Sequence, residues 1–194
     1  MIDKASRQDS LVVLTEGAII TALAMGLSYI PHSTGVSSIE FVYGLIPMSI
    51  YALRRGLKPG LMAGLVWGLL DMLLRGLSTG GVLNPFQGIV EYPLAFAVVG
   101  LIGLGSVRVQ QAIKNGKNAL GLIIFYSAIG FFAKYFLHFI AGGIYWGSYA
   151  PKTMNPWIYS LVINGGSFVA NMIMLLVLAV ILNRIFKQLI IPKN

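Results

Sequence analysis

Five ionisable side chains, Glu16, Asp71, Glu91, Lys134 and His138, interrupt long apolar stretches of this chain. A charge at bilayer depth costs about 2.5–3.5 kcal/mol on insertion scales, so each of them needs a partner or a task. Lys134, His138, Gly142 and Trp146 recur every fourth residue, which on a helix makes one slowly drifting stripe with Tyr145 alongside. The stripe offers an ammonium donor, an imidazole, a gap and an indole. The competing reading is a lysine that snorkels to the interface beside a belt of aromatics. Lys134 lies deep in its apolar run, which argues for a site.

Glu91 follows Gln87 by one turn and precedes Tyr92 and Pro93, which removes a backbone donor and frees a carbonyl nearby. An ionised carboxylate in hydrocarbon needs Lys134, a bound cation or water beside it, and a purely structural Glu91–Lys134 ion pair is the alternative. Asp71 and Arg75, four residues apart, are expected to pair on one helix face. Ser160, Asn164, Ser167 and Asn171 repeat at helical spacing behind Tyr159. Such a seam is either interhelical glue or a binding wall. The deeper Ser167 and Asn171 read as glue, whereas Tyr159 and Asn164 read as wall.

These groups together suit a planar heteroaromatic ligand with positive charge, which would stack on rings and be drawn to π faces and to Glu91. They do not suit catalysis: there is no apparent Ser/His/Asp set, no HExxH and no paired aspartates at one depth. No catalytic residue and no metal ligand is therefore expected. An intramembrane enzyme acting on lipid or protein with His138 as base and a stand-alone secondary transporter remain as rivals, although no inverted repeat relates the two halves.

The elements that must position these residues follow from composition. Of 194 residues, 57% are hydrophobic and 10% charged, too few charges to build a water-facing surface. The net charge of +8 would suggest nucleic acid in a soluble protein, but here the basic residues fall between apolar runs, where they act as topology signals. Without cysteine there are no disulfides or thiolate sites. The expected fold is all-α: a single domain over residues 1–194, an integral membrane bundle of six transmembrane helices.

Span one runs from Leu11 to Ile30, where Pro31 stops it, and is read as retained because no cleavage site follows it. A loop to Val42 leads to a short second span over Tyr43 to Leu53. The others cover Leu61 to Leu74, Phe86 to Leu104, Ala119 to Trp146 and Trp157 to Phe186. The loop bias places Lys4, Arg7, Arg54, Arg55, Lys58, Arg108, Lys114, Lys117, Arg184, Lys187 and Lys193 on one side. Only Arg75 and Lys152 fall on the other. Both termini are therefore expected in the cytoplasm. In span one, Ala18, Ala22 and Gly26 form the small-xxx-small pattern that lets another helix approach, either a neighbour in the bundle or another subunit.

The segments LTEGAIITALAMGLSYIPH, LRRGLKPGLMAGLVWGLL, EYPLAF, KYFLHFIAGGIYW and YSLVING resemble the thiamin-specific substrate-binding subunits (S-components) of bacterial energy-coupling factor (ECF) transporters. The likeness extends over about residues 10 to 185. The resemblance implies a six-helix bundle in the bacterial cell membrane that takes thiamin near the extracellular side under a capping loop. An S-component for riboflavin or a thiamin precursor is the neighbouring reading.

Carried over by motif, the ligand contacts would be Glu91, Tyr92, Lys134, His138, Gly142, Trp146, Tyr159 and Asn164. Trp146 and His138 would stack on the rings, Glu91 would balance the thiazolium, and Lys134, Tyr159 and Asn164 would bond the aminopyrimidine. Phe41 and Tyr43 are the lid candidates. The resemblance also implies that Ala18 and Ala22 dock onto a transmembrane coupling subunit driven by two cytoplasmic ATPases. In keeping with that, the chain has no GxxxxGK[ST] phosphate cradle. Thiamin would be cargo, and no cofactor is implied.

Overall fold

The computed structural model describes residues 4–31 and 39–192, and every regular element among them is helical. His32 and the following part of the expected capping loop lie outside the described residues, as do Lys193 and the side chains of Lys4 and Arg7. We number the helices α1 (Lys4–Leu27), α2 (Leu45–Arg55), α3 (Leu57–Gly76), α4 (Pro85–Lys114), α5 (Leu120–Tyr145), α6 (Pro156–Ile181) and α7 (Asn183–Ile190).

Five of these, α1 and α3 to α6, are long and apolar enough to cross a membrane. Helix α2, with 11 residues, spans roughly 16 Å, about half of a bilayer core. It belongs to the bundle because its neighbours bury it: Leu45, Met48, Tyr51, Ala52 and Leu53 are all inaccessible or nearly so.

Helices α3 and α4 meet backbone to backbone. Gly60, Gly64 and Gly68 recur at every fourth residue of α3, and a Cβ on them would fall 3.1 Å from Gly100, 2.3 Å from the Phe96 carbonyl and 2.4 Å from the Tyr92 carbonyl. Gly100 and Gly103 answer from α4, where a Cβ would strike Leu61 N at 2.1 Å and Gly56 C at 2.4 Å. Only glycine admits this approach, the small-residue packing that membrane helices use in place of a hydrophobic drive.

Helix α4 is not regular. It starts at Pro85 behind an Asn84 cap, widens to π geometry over Val90–Leu94 around Pro93, and tightens to 3₁₀ geometry over Val98–Gly105. Proline removes one i to i−4 bond and clashes with the preceding turn, and the wider turn accommodates both effects. Helix α3 ends in a second π turn, Met72–Gly76.

Several expected boundaries change. Span four does not stop at Leu104 but continues to Lys114, and span three begins earlier, at Leu57. The sixth span does not run through to Phe186: the helix caps at Leu182 (φ −103°, ψ 27°) and restarts as α7. Arg54 explains why α7 turns back, since it donates to the carbonyls of Leu189 and Ile191 while its Nε and Nη2 hold Glu16 at 3.0 Å. Arg55 grips the same carboxylate at 2.5 and 2.6 Å. Glu16 is thus the anchor of α1 to α2 at the end of the bundle opposite the cavity described next.

Candidate functional site

A cavity of about 440 Å³ opens where the C-terminal ends of α3 and α5 meet the N-terminal ends of α4 and α6. That size is within the range of small-molecule sites. Glu91, Tyr92, Lys134, His138, Gly142, Trp146, Tyr159 and Asn164 all line it, and so do Phe41 and Tyr43.

The π turn of α4 presents Glu91 and Tyr92, consecutive in sequence, to the same hollow. Unwound turns of this kind are frequent at functional sites. The Glu91 carboxylate accepts from Trp146 Nε1 at 2.9 and 3.1 Å and from the Gln87 amide. Gln87 is itself fully buried and also donates to the Gly81 carbonyl, so the carboxylate is held from two sides. Hydrogen bonds to a charged acceptor are the stronger kind, and they fix the indole plane at the cavity wall. The Tyr92 side chain occupies a slot against Gly76 and Gly81, where a Cβ would lie 2.6 Å from its ring and 2.5 Å from its hydroxyl.

Lys134 is 3% exposed and does not snorkel. Its Nζ lies 2.9 Å from His138 Nε2 and over the rings of Phe96 and Tyr135, 4.8 and 4.6 Å from their centroids. The four-residue spacing thus brings ammonium and imidazole into direct contact. Among the described residues Glu91 and Lys134 make no ion pair; each is held by other groups.

Gly142 is the notch through which α6 reaches the cavity. A Cβ there would come within 2.3 Å of Ser160 Oγ and 3.4 Å of Asn164 Nδ2. Ser160 donates to the Phe139 carbonyl at 2.8 Å, and Asn164 donates to Ser160 O and Oγ at 3.0 and 3.2 Å. Tyr145, the companion expected for the stripe, is not part of the lining, whereas Tyr149 beyond it is, with its ring 5.3 Å from that of Trp146.

Ser167 and Asn171 act as glue, to a loop and, through Tyr135, to α5, and Ser167 also lines the cavity. Asn171, fully buried, donates to the carbonyls of Glu40 and Ser167 and to the Tyr135 hydroxyl, and accepts from Val42 N at 2.8 Å. Ser167 Oγ accepts from Glu40 N at 3.1 Å. These bonds set residues 40 to 43 along the cavity, with Phe41 42% exposed.

Sequence reasoning missed Glu40, Phe96, Tyr135 and Tyr149 in the lining. Tyr135 was within reach, because it lies three residues before His138 on the same helix. Glu40 carries no such signal because it lies outside every span; it lines the same cavity as Glu91 and Lys134. Asp71 and Arg75 pair at 2.8 Å as expected, and both also line the cavity. Ala18, Ala22 and Gly26 face outward from the bundle, with no atom near a Cβ built on Gly26.

Comparison with known proteins decides the family. The model of the family described as "Thiamine transporter protein" matches residues 14–191. The chain belongs to that family. The thiamine transporter ThiT of Lacticaseibacillus paracasei is 52% identical over 186 residues, covering 95% of this chain and 92% of that one. ThiT of Bacillus subtilis is 32% identical over 177 residues, covering 87% and 88%. A solved structure of ThiT from Listeria monocytogenes superposes with a TM-score of 0.84 at 35% identity, covering 95% of this chain and all of that one. The thiamine transporter family is thus the setting for the cavity: a multi-pass protein of the bacterial cell membrane.

Proposed function

We propose that this chain captures thiamin from the extracellular side and delivers it through an ATP-driven ECF importer. The observation that carries the reading is the convergence of Glu91, Tyr92, Lys134, His138, Trp146, Tyr159 and Asn164 on one hollow. A carboxylate faces that hollow with its partner indole already oriented. Thiamin is a thiazolium cation joined to an aminopyrimidine, so it needs an anion and π faces at one end and donors and acceptors at the other. Glu91 with Glu40 supplies the first, and the rings of Trp146 and His138 stack on the heterocycles. Lys134, Tyr159 and Asn164 bond the pyrimidine edge. Phe41 and Tyr43 cover the ligand from the segment that Asn171 holds.

The loop bias of Lys and Arg orients the cavity outward. The chain has no phosphate cradle of its own, so the energy comes from two cytoplasmic ATPases through a transmembrane coupling subunit that docks on Ala18 and Ala22. Reorientation of the whole subunit in that complex releases the vitamin.

Calorimetric titration of the purified protein in detergent tests the site. Thiamin should bind tightly, and Trp146→Ala and Glu91→Gln should each weaken it by at least about tenfold, the loss of one hydrogen bond to a charged group. Unchanged affinity in both variants would refute the assignment. Competition by the isolated pyrimidine and thiazole halves separates thiamin from a precursor.

A further inference from the structure

The Asp71–Arg75 pair looks like simple charge satisfaction on one helix face, yet it stands in the cavity wall. Asp71 is the last residue before the π turn that ends α3, is 5% exposed, and accepts from Arg75 Nη1 at 2.8 Å. Tyr92 packs against Gly76, the residue after Arg75, and lines the same cavity as the pair, Glu91 and Lys134. The pair is therefore part of the charged wall of the site.

The formal charge of the lining follows from its residues. Among the described residues it holds three carboxylates, Glu40, Asp71 and Glu91, and two cations, Arg75 and Lys134. His138 accepts from Lys134 at Nε2 and adds no charge in that arrangement. The lining is thus one charge negative, the complement of a monocation. Without the Asp71 charge it would be neutral.

We propose that Asp71 is a specificity-determining residue: by cancelling Arg75 it keeps the cavity one charge negative, favouring the thiazolium monocation over its phosphate ester. The proposal rests on thiamin as the ligand. A phosphate monoester adds about −1.5 to −2 charges near neutral pH, so the ester as a whole is anionic where thiamin is cationic. Any change of cavity charge therefore moves the two affinities in opposite directions. A purely structural role for Asp71 would lower both together.

The test is competition titration of thiamin and thiamin monophosphate against the full chain, Asp71→Asn, Arg75→Gln and the double variant. Asp71→Asn should raise the ratio of ester to thiamin affinity on the order of a hundredfold: one unit charge across roughly 10 Å at an effective dielectric near 20 is worth about tenfold per ligand charge, and the two ligands differ by about 1.5–2 charges. Arg75→Gln should lower the ratio, and the double variant should return it towards the unsubstituted value. If Asp71→Asn does not fold, Arg75→Gln carries the test with the opposite sign. A ratio within twofold of the original in both single variants that still bind thiamin would overturn the proposal. So would shifts of the same sign in both. If the unsubstituted protein binds no thiamin, the ligand reading itself fails, and the proposal falls with it.

Discussion

Placing a methyl group at Gly142 is the sharpest probe of how α5 and α6 build the cavity. The added Cβ would lie 2.3 Å from Ser160 Oγ, more than an ångström short of ordinary contact. Two responses are open. The helices can part, which costs about 1–3 kcal/mol by overpacking. Alternatively Ser160 can rotate, giving up its bond to the Phe139 carbonyl and its acceptance from Asn164, at about 0.5–1.5 kcal/mol each.

Either route costs about 1–3 kcal/mol in Gly142→Ala, which for a chain of this length lowers the thermal midpoint by about 2–12 °C. Both routes displace Asn164, so thiamin affinity should fall at least about tenfold. The second substitution Ser160→Ala removes the atom in conflict and leaves the next contact, Ser160 Cβ, at 3.2 Å. The double variant should therefore melt above the single one. A scanning-fluorimetry melt with a calorimetric titration reads both quantities. A Gly142→Ala protein with unchanged midpoint and affinity would refute the notch, and so would a double variant that melts below the single.

Two further outcomes follow from named contacts. Asn171→Leu removes a fully buried amide that holds Glu40, Val42 and Tyr135, so stability should fall by about 2–4 kcal/mol. Hydrogen exchange at the Glu40 and Val42 amides should accelerate, and unchanged protection there would show that the segment is held by something else. Ala22→Trp, on the outward face of α1, should leave thiamin titration within twofold of the original while ATP-dependent uptake by the assembled transporter drops at least about tenfold. Normal uptake would remove α1 from the docking surface.

The parts of the fold legible in the sequence are those where one physical signal dominates. The long apolar runs of α1, α5 and α6 announce themselves by length, and the four-residue recurrence from Lys134 to Trp146 states which face they share. Where backbone geometry departs from the α-helix, that reading stops. Nothing in the order of residues says that Pro93 will be absorbed by a π turn rather than a kink, or that Val98–Gly105 will tighten to let glycines meet. The break at Leu182 carries neither glycine nor proline, and its cause is a long-range one, Arg54 reaching the last carbonyls of α7. Glu40 was invisible for a related reason: a residue outside any helix has no periodicity, and Ser167 and Asn171, far along the chain, set its place.

The glycine seam between α3 and α4 restricts where the binding hollow can change over evolutionary time. Along that line main chain abuts main chain, so almost any replacement forces the two rods apart and loses the site with the scaffold. Variants that retune ligand preference must then arise elsewhere. The open positions are at the outer end of α3, on α5, on α6, and in the segment 40–43 that lines the cavity, where a substituted side chain can reshape the lining without prising the frame apart.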